Sequence, residues 1–133
     1  MMKNSIPKAT KQGECLVLFD FQLSTLQGAA HVFLAVDTYT GYVFMLSVEP
    51  DKRPNTVLKK IYFLLEDKKL AECLSTETGF TLVVEEYEEL AAKIEQILKP
   101  VNGKLIFNKS FCQKVSNPVL KSFRDRMLRQ KLH

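Results

Sequence analysis

The sequence predicts an α/β domain in which a mixed five-stranded sheet packs against helices. Three β-rich runs lie close together near the N-terminus, and helical and β-rich patterns alternate after them. The 133 residues are 46% hydrophobic and 26% charged, a composition that suits one folded domain. We expect residues 1–13 to form a basic N-terminal arm and residues 14–133 to form the domain.

Three apolar runs predict the first three strands. Residues 15–21 read CLVLFDF and hold a single acid in an otherwise apolar stretch. Residues 30–37 (AHVFLAVD) and residues 42–49 (YVFMLSVE) are rich in β-branched and aromatic side chains. Between them, residues 38–41 (TYTG) end in a glycine that can adopt the positive φ of a tight turn. We therefore expect an antiparallel hairpin that joins the first strand in a meander.

Helical spacing replaces the β pattern after residue 50. A helix is expected to begin at Asn55 or Thr56 and to run to about Cys73, because apolar residues recur on one face. Residues 79–84 (GFTLVV) predict a fourth strand, and a second helix is expected over about residues 87–98.

Turn residues organise the end of the chain. Pro100 and the Asn102-Gly103 pair end the second helix, and residues 104–107 predict a short fifth strand. Asn117-Pro118 predicts the start of the last helix, with asparagine as the cap and proline in the first helical position. Three strands followed by alternating helices and strands give the predicted five-stranded sheet.

Several classes of protein are excluded by the composition. The longest apolar runs are far shorter than the roughly 20 residues that span a bilayer, so we expect no integral membrane protein. The N-terminal segment has no apolar core of a secretory signal, which favours a cytoplasmic location. Cys15, Cys73 and Cys112 stand alone in the sequence, so we expect reduced thiols and no zinc site.

The charge is concentrated at the two ends of the chain. Residues 1–13 hold three lysines and no acid, and residues 104–133 hold eight basic side chains and one acid, whereas the whole chain carries only +4. This asymmetry is compatible with DNA or RNA passing one edge of the molecule, but by itself it more often marks a solvated charged surface. The last helix is the best candidate for phosphate contacts, through Lys121, Arg124, Arg126, Arg129 and Lys131.

Residues 14–66 resemble the opening of a retroviral-type integrase or DDE transposase catalytic core. The resemblance lies in the Asp20-Phe21 pair of the first strand and in the segment Ala35-Val36-Asp37-Thr38-Tyr39-Thr40-Gly41-Tyr42. It implies a ribonuclease H-like fold. It also implies a site in which three carboxylates hold two Mg²⁺ or Mn²⁺ ions that activate the nucleophile and the leaving oxygen.

The three carboxylate positions of that family match this chain unequally. Asp20 matches the first position, although an aspartate there could also simply bond backbone amides. The second position belongs to an Asp-Asn-Gly after the fourth strand. Here Glu85 stands at that place without the glycine turn, and the glutamates around it also suit a helix N-terminus. The third position belongs to a glutamate near the start of the last helix. The natural alignment places Lys121 there. The nearby acid, Asp125, could serve instead, but it is also placed to pair with Lys121 or Arg129.

Three functions remain open from the sequence. The leading hypothesis is an integrase-core-like domain of a mobile element that is catalytically inactive, needs no cofactor, contacts DNA or assists assembly, and dimerises by analogy with integrases. The second is an active metal-dependent nuclease or strand-transfer enzyme that uses Asp20, Glu85 and Asp125, with metal at Asp20 and Glu85. The third is an α/β interaction module without a nucleic-acid partner. No small-molecule cofactor is expected.

Two further sites have a structural and a functional interpretation. Asp37 precedes a turn, where aspartate commonly bonds backbone amides, so we expect a structural role. Tyr39 and Tyr42 could stack on bases, but aromatic side chains of hairpins more often pack on neighbouring strands.

Overall fold

The chain is described by a computed structural model that covers residue 6, residues 8–74 and residues 79–131, with side chains as far as residue 125. Its strands are β1 (Cys15–Thr25), β2 (Gly28–Asp37), β3 (Val43–Glu49), β4 (Phe80–Val84) and β5 (Gly103–Phe107). Its helices are α1 (Pro54–Leu65), α2 (Lys68–Cys73), α3 (Ala91–Leu98) and α4 (Lys109–Lys131), with short 3₁₀ turns at Glu88–Leu90 and Lys99–Val101.

The five strands form one mixed sheet in the order β3-β2-β1-β4-β5. The meander β1–β2–β3 is antiparallel, whereas β4 and β5 run parallel to β1. The predicted architecture is therefore confirmed as an α/β fold with a five-stranded mixed sheet. The first hairpin is longer than expected, because the pairing of β1 with β2 continues to Thr25 and Gly28.

The helix expected to run to Cys73 is interrupted in the structure. α1 ends at Leu65 and α2 begins at Lys68. Between them, Asp67 has an extended backbone, and its carboxylate accepts the backbone N–H of Leu70 at 2.9 Å. Such a side chain offers the backbone an alternative to the helical bond, so Asp67 ends one helix and caps the next.

The predicted start of the last helix at Asn117 is wrong. α4 begins at Lys109, where the side chain of Asn108 accepts the backbone N–H of Phe111 at 3.0 Å, and Pro118 lies inside the helix. Asn108 caps the first turn as Asn117 was expected to do. The packing of the helix on the sheet outweighs the lost hydrogen bond at Pro118.

Helices cover both faces of the sheet. On one face, Leu16 and Leu18 of β1 pack with buried residues of α1, α2 and α3. On the other face, Val17 and Phe19 of β1 pack against α4, and the described part of the N-terminal arm adds Ile6 and Ala9 to the same cluster. These two layers decide which side chains of β1 can meet which helix.

The turn after β2 is built as expected around Asp37. This fully buried carboxylate accepts the backbone N–H of Thr40 at 2.7 Å and the Thr40 hydroxyl at 2.6 Å. It also accepts the N–H of Gly13 at 2.8 Å, and Gly41 has the expected positive φ of 79°. The predicted structural role of Asp37 is confirmed, and the residue also anchors the arm.

Two other expectations concern the state of the cysteines and the presence of membrane-spanning helices. Cys15, Cys73 and Cys112 are free thiols, and two of them are buried. Burial raises the pKa of Cys112 to about 12, which makes that thiol unreactive at neutral pH. Over the residues that the structure describes, no helix has the length and apolar character needed to cross a membrane.

Candidate functional site

Asp20 lies in β1, just beyond the end of the pairing of β1 with β4. The parallel pairing of β1 with β4 ends at Leu18 and Val84, so Asp20 lies beyond it while β1 continues alongside β2. Strand alternation places the Asp20 side chain on the same face as Leu16 and Leu18. The side chain is 8% exposed. A carboxylate so deeply placed needs compensating partners.

Tyr87 supplies the first of these partners. Its hydroxyl donates a hydrogen bond of 2.5 Å to Asp20 Oδ1, and the residue is 7% exposed. Burial, reinforced by this bond to a carboxylate, raises the pKa of the Tyr87 hydroxyl far above its usual range. The hydroxyl therefore remains a donor to Asp20 at any physiological pH.

The backbone turns at Tyr87 even though the sequence has no glycine there. Tyr87 has φ of 84° and ψ of 32°, the left-handed conformation that favours glycine. In the resemblance to integrases, Glu85-Glu86-Tyr87 stands at Asp-Asn-Gly, with Tyr87 at the position of the glycine. The turn is thus made with a tyrosine, at a backbone cost of about 1–2 kcal/mol that ring burial and the bond to Asp20 offset.

Lys52 supplies the second partner. Its ammonium lies 3.7 Å from Asp20 Oδ2 and 2.8 Å from Glu86 Oε1. The hydrogen bond to Glu86, with the nearby charge of Asp20, raises the pKa of Lys52. Asp51 shapes the loop that carries it, because its carboxylate accepts the N–H of Arg53 at 3.0 Å and the hydroxyl of Thr56 at 2.6 Å.

His31 completes the surroundings of Asp20. It lies on β2, paired with Gln22, so its side chain is on the same sheet face as that of Asp20. Its Nδ1 is 4.0 Å from Asp20 Oδ2. That nitrogen is buried and has no hydrogen-bond partner among the described residues. Both carboxylate oxygens of Asp20 therefore face groups that donate hydrogen bonds or carry positive charge.

The four glutamates after β4 lie in two different environments. Glu85 and Glu86 line a cavity of about 160 Å³ together with Asp20 and Tyr87. Glu88 and Glu89 lie in the first turn of the following 3₁₀ helix, where acids are favourable. The helix-terminus interpretation thus holds for the later pair, whereas the earlier pair belongs to the cavity.

Asp125 does not line this cavity. It is exposed on α4, the helix that packs on the sheet face opposite to Asp20. It forms no ion pair with any side chain that the structure describes, so the expected pairing with Lys121 is not observed. Over the described residues, no three His, Cys, Asp or Glu side chains are grouped so as to hold a metal ion.

The residues expected to contact phosphate lie on α4. Lys121 and Arg124 are exposed. The side chains of Arg126, Arg129 and Lys131 lie outside the described part of the chain. Tyr39 and Tyr42 are both exposed, and Tyr42 also packs edge-on against Phe44, with ring centroids 4.8 Å apart.

The fold is similar to that of one chain in a solved viral intasome complex. A chain of the cryoEM structure of the simian T-cell lymphotropic virus intasome in complex with PP2A regulatory subunit B56 gamma superposes with a TM-score of 0.67. The likeness is one of fold alone. It covers 96% of this chain at 9% sequence identity, and it spans 45% of the matched chain.

Sequence comparison adds no relative to this structural likeness. No protein-family model matches the chain, and no curated protein matches it. The sheet order and the packed helices are compatible with a ribonuclease H-like fold. The likeness to a known protein is therefore one of fold.

The donor set around Asp20 does not fit the two-metal site of that family. Two ions need several carboxylate oxygens directed at a shared position. Here one oxygen of Asp20 accepts the Tyr87 hydroxyl, and the other faces the Lys52 ammonium. No step of catalysis through a metal can be derived from this arrangement.

Sequence reasoning identified Asp20 and missed the groups that surround it. Lys52, His31 and Glu86 carry no motif, and Tyr87 was noted only as an apolar position of a helix. One signal was available: in the resemblance to integrases, Tyr87 stands at the position of the glycine of Asp-Asn-Gly.

Proposed function

We propose that this chain is an integrase-core-like domain of a mobile element that lacks metal-dependent catalysis and acts by contacting DNA or assisting assembly. The observation that carries the proposal is the pairing of Asp20 with Lys52 and Tyr87. A carboxylate already neutralised by an ammonium has little affinity left for a divalent ion. The likeness of fold to a chain of a viral intasome complex supports a relation to DNA integration.

The arrangement of basic residues supports DNA as the partner. Lys8 of the arm and Lys121 of α4 are far apart in sequence, but both are exposed and belong to segments that pack on the same sheet face. Residues 104–133 supply the larger positive charge. A face with clustered positive charge attracts the phosphate backbone without reading sequence.

Salt-dependent DNA binding tests this proposal. We expect a duplex DNA to bind with an affinity that falls steeply as salt is raised. The double variant Lys121→Ala/Arg124→Ala should bind more weakly and lower the slope of log K against log salt by about 2, since each lost phosphate contact contributes about 0.9. Fluorescence anisotropy at several salt concentrations measures both.

The matched control is Lys59→Ala/Lys68→Ala. These lysines are exposed on α1 and α2, on the opposite side of the sheet, and their removal changes the net charge equally. If both double variants weaken binding alike, the contact is diffuse and α4 is not the binding surface. If the wild type has no salt-dependent affinity, the chain is an interaction module with no nucleic-acid partner.

One observation favours the active enzyme as the second candidate. Asp20 and Glu85 line the same cavity, as two metal-holding carboxylates would. Incubation of the wild type with nicked and blunt DNA in Mg²⁺ or Mn²⁺ tests it. Cleavage or strand transfer that disappears in Asp20→Asn would replace the inactive domain with an enzyme. We expect neither reaction.

Homodimerisation is proposed by analogy with integrase cores. Sedimentation equilibrium of the full chain should then give twice the mass of 15.2 kDa, and a single-chain mass would contradict the analogy.

A further inference from the structure

The Lys52 ammonium bridges two carboxylates that come from different parts of the fold. Asp20 lies in β1, and Glu86 lies in the turn that follows β4. The ammonium is 3.7 Å from the first carboxylate and 2.8 Å from the second, so one cation is shared by two acids. Asp20 is 8% exposed, and such a carboxylate depends strongly on its counter-charge.

A third acid lies at the same cavity. Glu85 lines the space of about 160 Å³ beside Asp20 and Glu86. Without Lys52, the carboxylates of Asp20 and Glu86 would border this small polar space with no cation between them. The volume leaves room for an ion together with several of its waters, which is how Mg²⁺ and Mn²⁺ are commonly held by one or two protein carboxylates.

We infer that Lys52 is a tethered counter-ion that takes the place of a divalent cation at this cavity, so that loss of its charge exposes a divalent-cation site at Asp20 and Glu86. The inference rests on the proposed function, because it explains why the site needs no metal. The tether is the loop at residues 50–53, held by the bonds of Asp51 to Arg53 and Thr56.

Titration of Mn²⁺ alone into the full-length Lys52→Met variant tests the inference. We expect calorimetry to show Mn²⁺ binding at least about tenfold tighter than in the wild type, because two carboxylates regain a shared cation. The metal-free variant should melt lower by roughly 3–6 °C, and saturating Mn²⁺ should restore most of that loss. Both effects should vanish in Lys52→Met/Asp20→Asn.

Three variants serve as controls. Lys60→Met removes a lysine that is also 2.8 Å from a glutamate, Glu49, but among the described side chains that ammonium bridges no second carboxylate, so no Mn²⁺ site should arise. Lys52→Arg keeps the positive charge and should behave as the wild type does. If Lys52→Met fails to fold, Lys52→Gln replaces it, since the amide keeps a donor to Glu86 without the charge.

Equal Mn²⁺ affinity in the wild type and in the uncharged variant would overturn the inference. A gain in affinity that survives Asp20→Asn would overturn it as well, because the ion would then bind elsewhere. These outcomes leave the proposed function intact. Metal-dependent DNA cleavage by the wild type would instead overturn the proposed function, so the two failures are distinguishable.

Discussion

Tyr87 combines an unfavourable backbone with a buried polar contact. A left-handed conformation in a bulky residue is uncommon, and such strain persists only where the surroundings stabilise it. Here the ring is buried among apolar side chains, and its hydroxyl reaches Asp20. The residue therefore fixes both the turn after β4 and the position of the carboxylate in β1.

Removal of the Tyr87 hydroxyl should destabilise the fold. Tyr87→Phe leaves Asp20 with one donor fewer, and we expect a loss of about 1.5–3 kcal/mol in the free energy of unfolding at neutral pH. Urea denaturation measures it. An unchanged free energy would mean that Lys52 and solvent replace the lost donor.

The same variant has a predicted pH dependence. The pKa of Tyr87 is raised in the folded chain, so its stabilisation is complete below pH 10, the ordinary value for tyrosine, and is lost above it. Relative to Tyr87→Phe, the wild type should lose about 1.4 kcal/mol per pH unit above that value. Unfolding curves recorded at about pH 9 and about pH 11 for both proteins test this, and parallel changes would contradict it.

α4 is the element in which local sequence signals and packing disagree. Asn117-Pro118 has the features of a helix start, but the helix passes through both residues. Val115, Val119 and Leu120 pack on the sheet along with Cys112, so apolar contacts extend on both sides of the proline. Burial of this stripe sustains one continuous helix where the local signal predicts a new one.

Replacement of the interior proline should stabilise the protein. Pro118 is exposed and has no N–H to donate to the carbonyl of Lys114, so Pro118→Ala restores a helical hydrogen bond. We expect the free energy of unfolding to rise by about 1–3 kcal/mol, measured by chemical denaturation. Pro118 lines a surface groove together with Leu34, Leu46 and Val119. A decrease would indicate that the contacts of the proline ring in this groove outweigh the restored backbone hydrogen bond.

At the scale of the whole molecule, the N-terminal arm is held to the domain at Gly13. Its N–H donates to the buried Asp37, and its φ of 90° lies in the left-handed region. A Cβ at this position would overlap the Cβ of Cys73 at the end of α2. The arm, the turn after β2 and α2 therefore meet at one glycine.

Two glycine variants separate backbone strain from steric overlap. Gly41 has a similar φ of 79°, but an added Cβ would meet no atom within 4 Å. Gly41→Ala should therefore lower the free energy of unfolding by only about 1–2 kcal/mol. Gly13→Ala has both penalties and should cost at least about 1 kcal/mol more. Thermal and urea unfolding of the two variants provide the comparison, and equal losses would show that the contact with Cys73 relaxes freely.

Local patterns in the sequence were sufficient for the element order and for several individual residues. Short apolar and β-rich runs predicted the five strands, and the turn residues predicted the hairpin at Asp37. Asp20 was identified because an acid in an apolar strand stands out in the sequence alone. The boundaries at Leu65 and Lys109 were missed, since a side-chain cap competes with periodicity at each of them.

By itself, the sequence determined the α/β fold class, the order of strands and helices, the acid in the first strand and the concentration of positive charge at both ends. Only the tertiary structure decided what surrounds that acid. Lys52, Tyr87 and His31 reach Asp20 because the order β3-β2-β1-β4-β5 brings distant segments beside β1. Periodicity encodes which face of an element is buried, whereas contacts between charges depend on how the elements are placed in space.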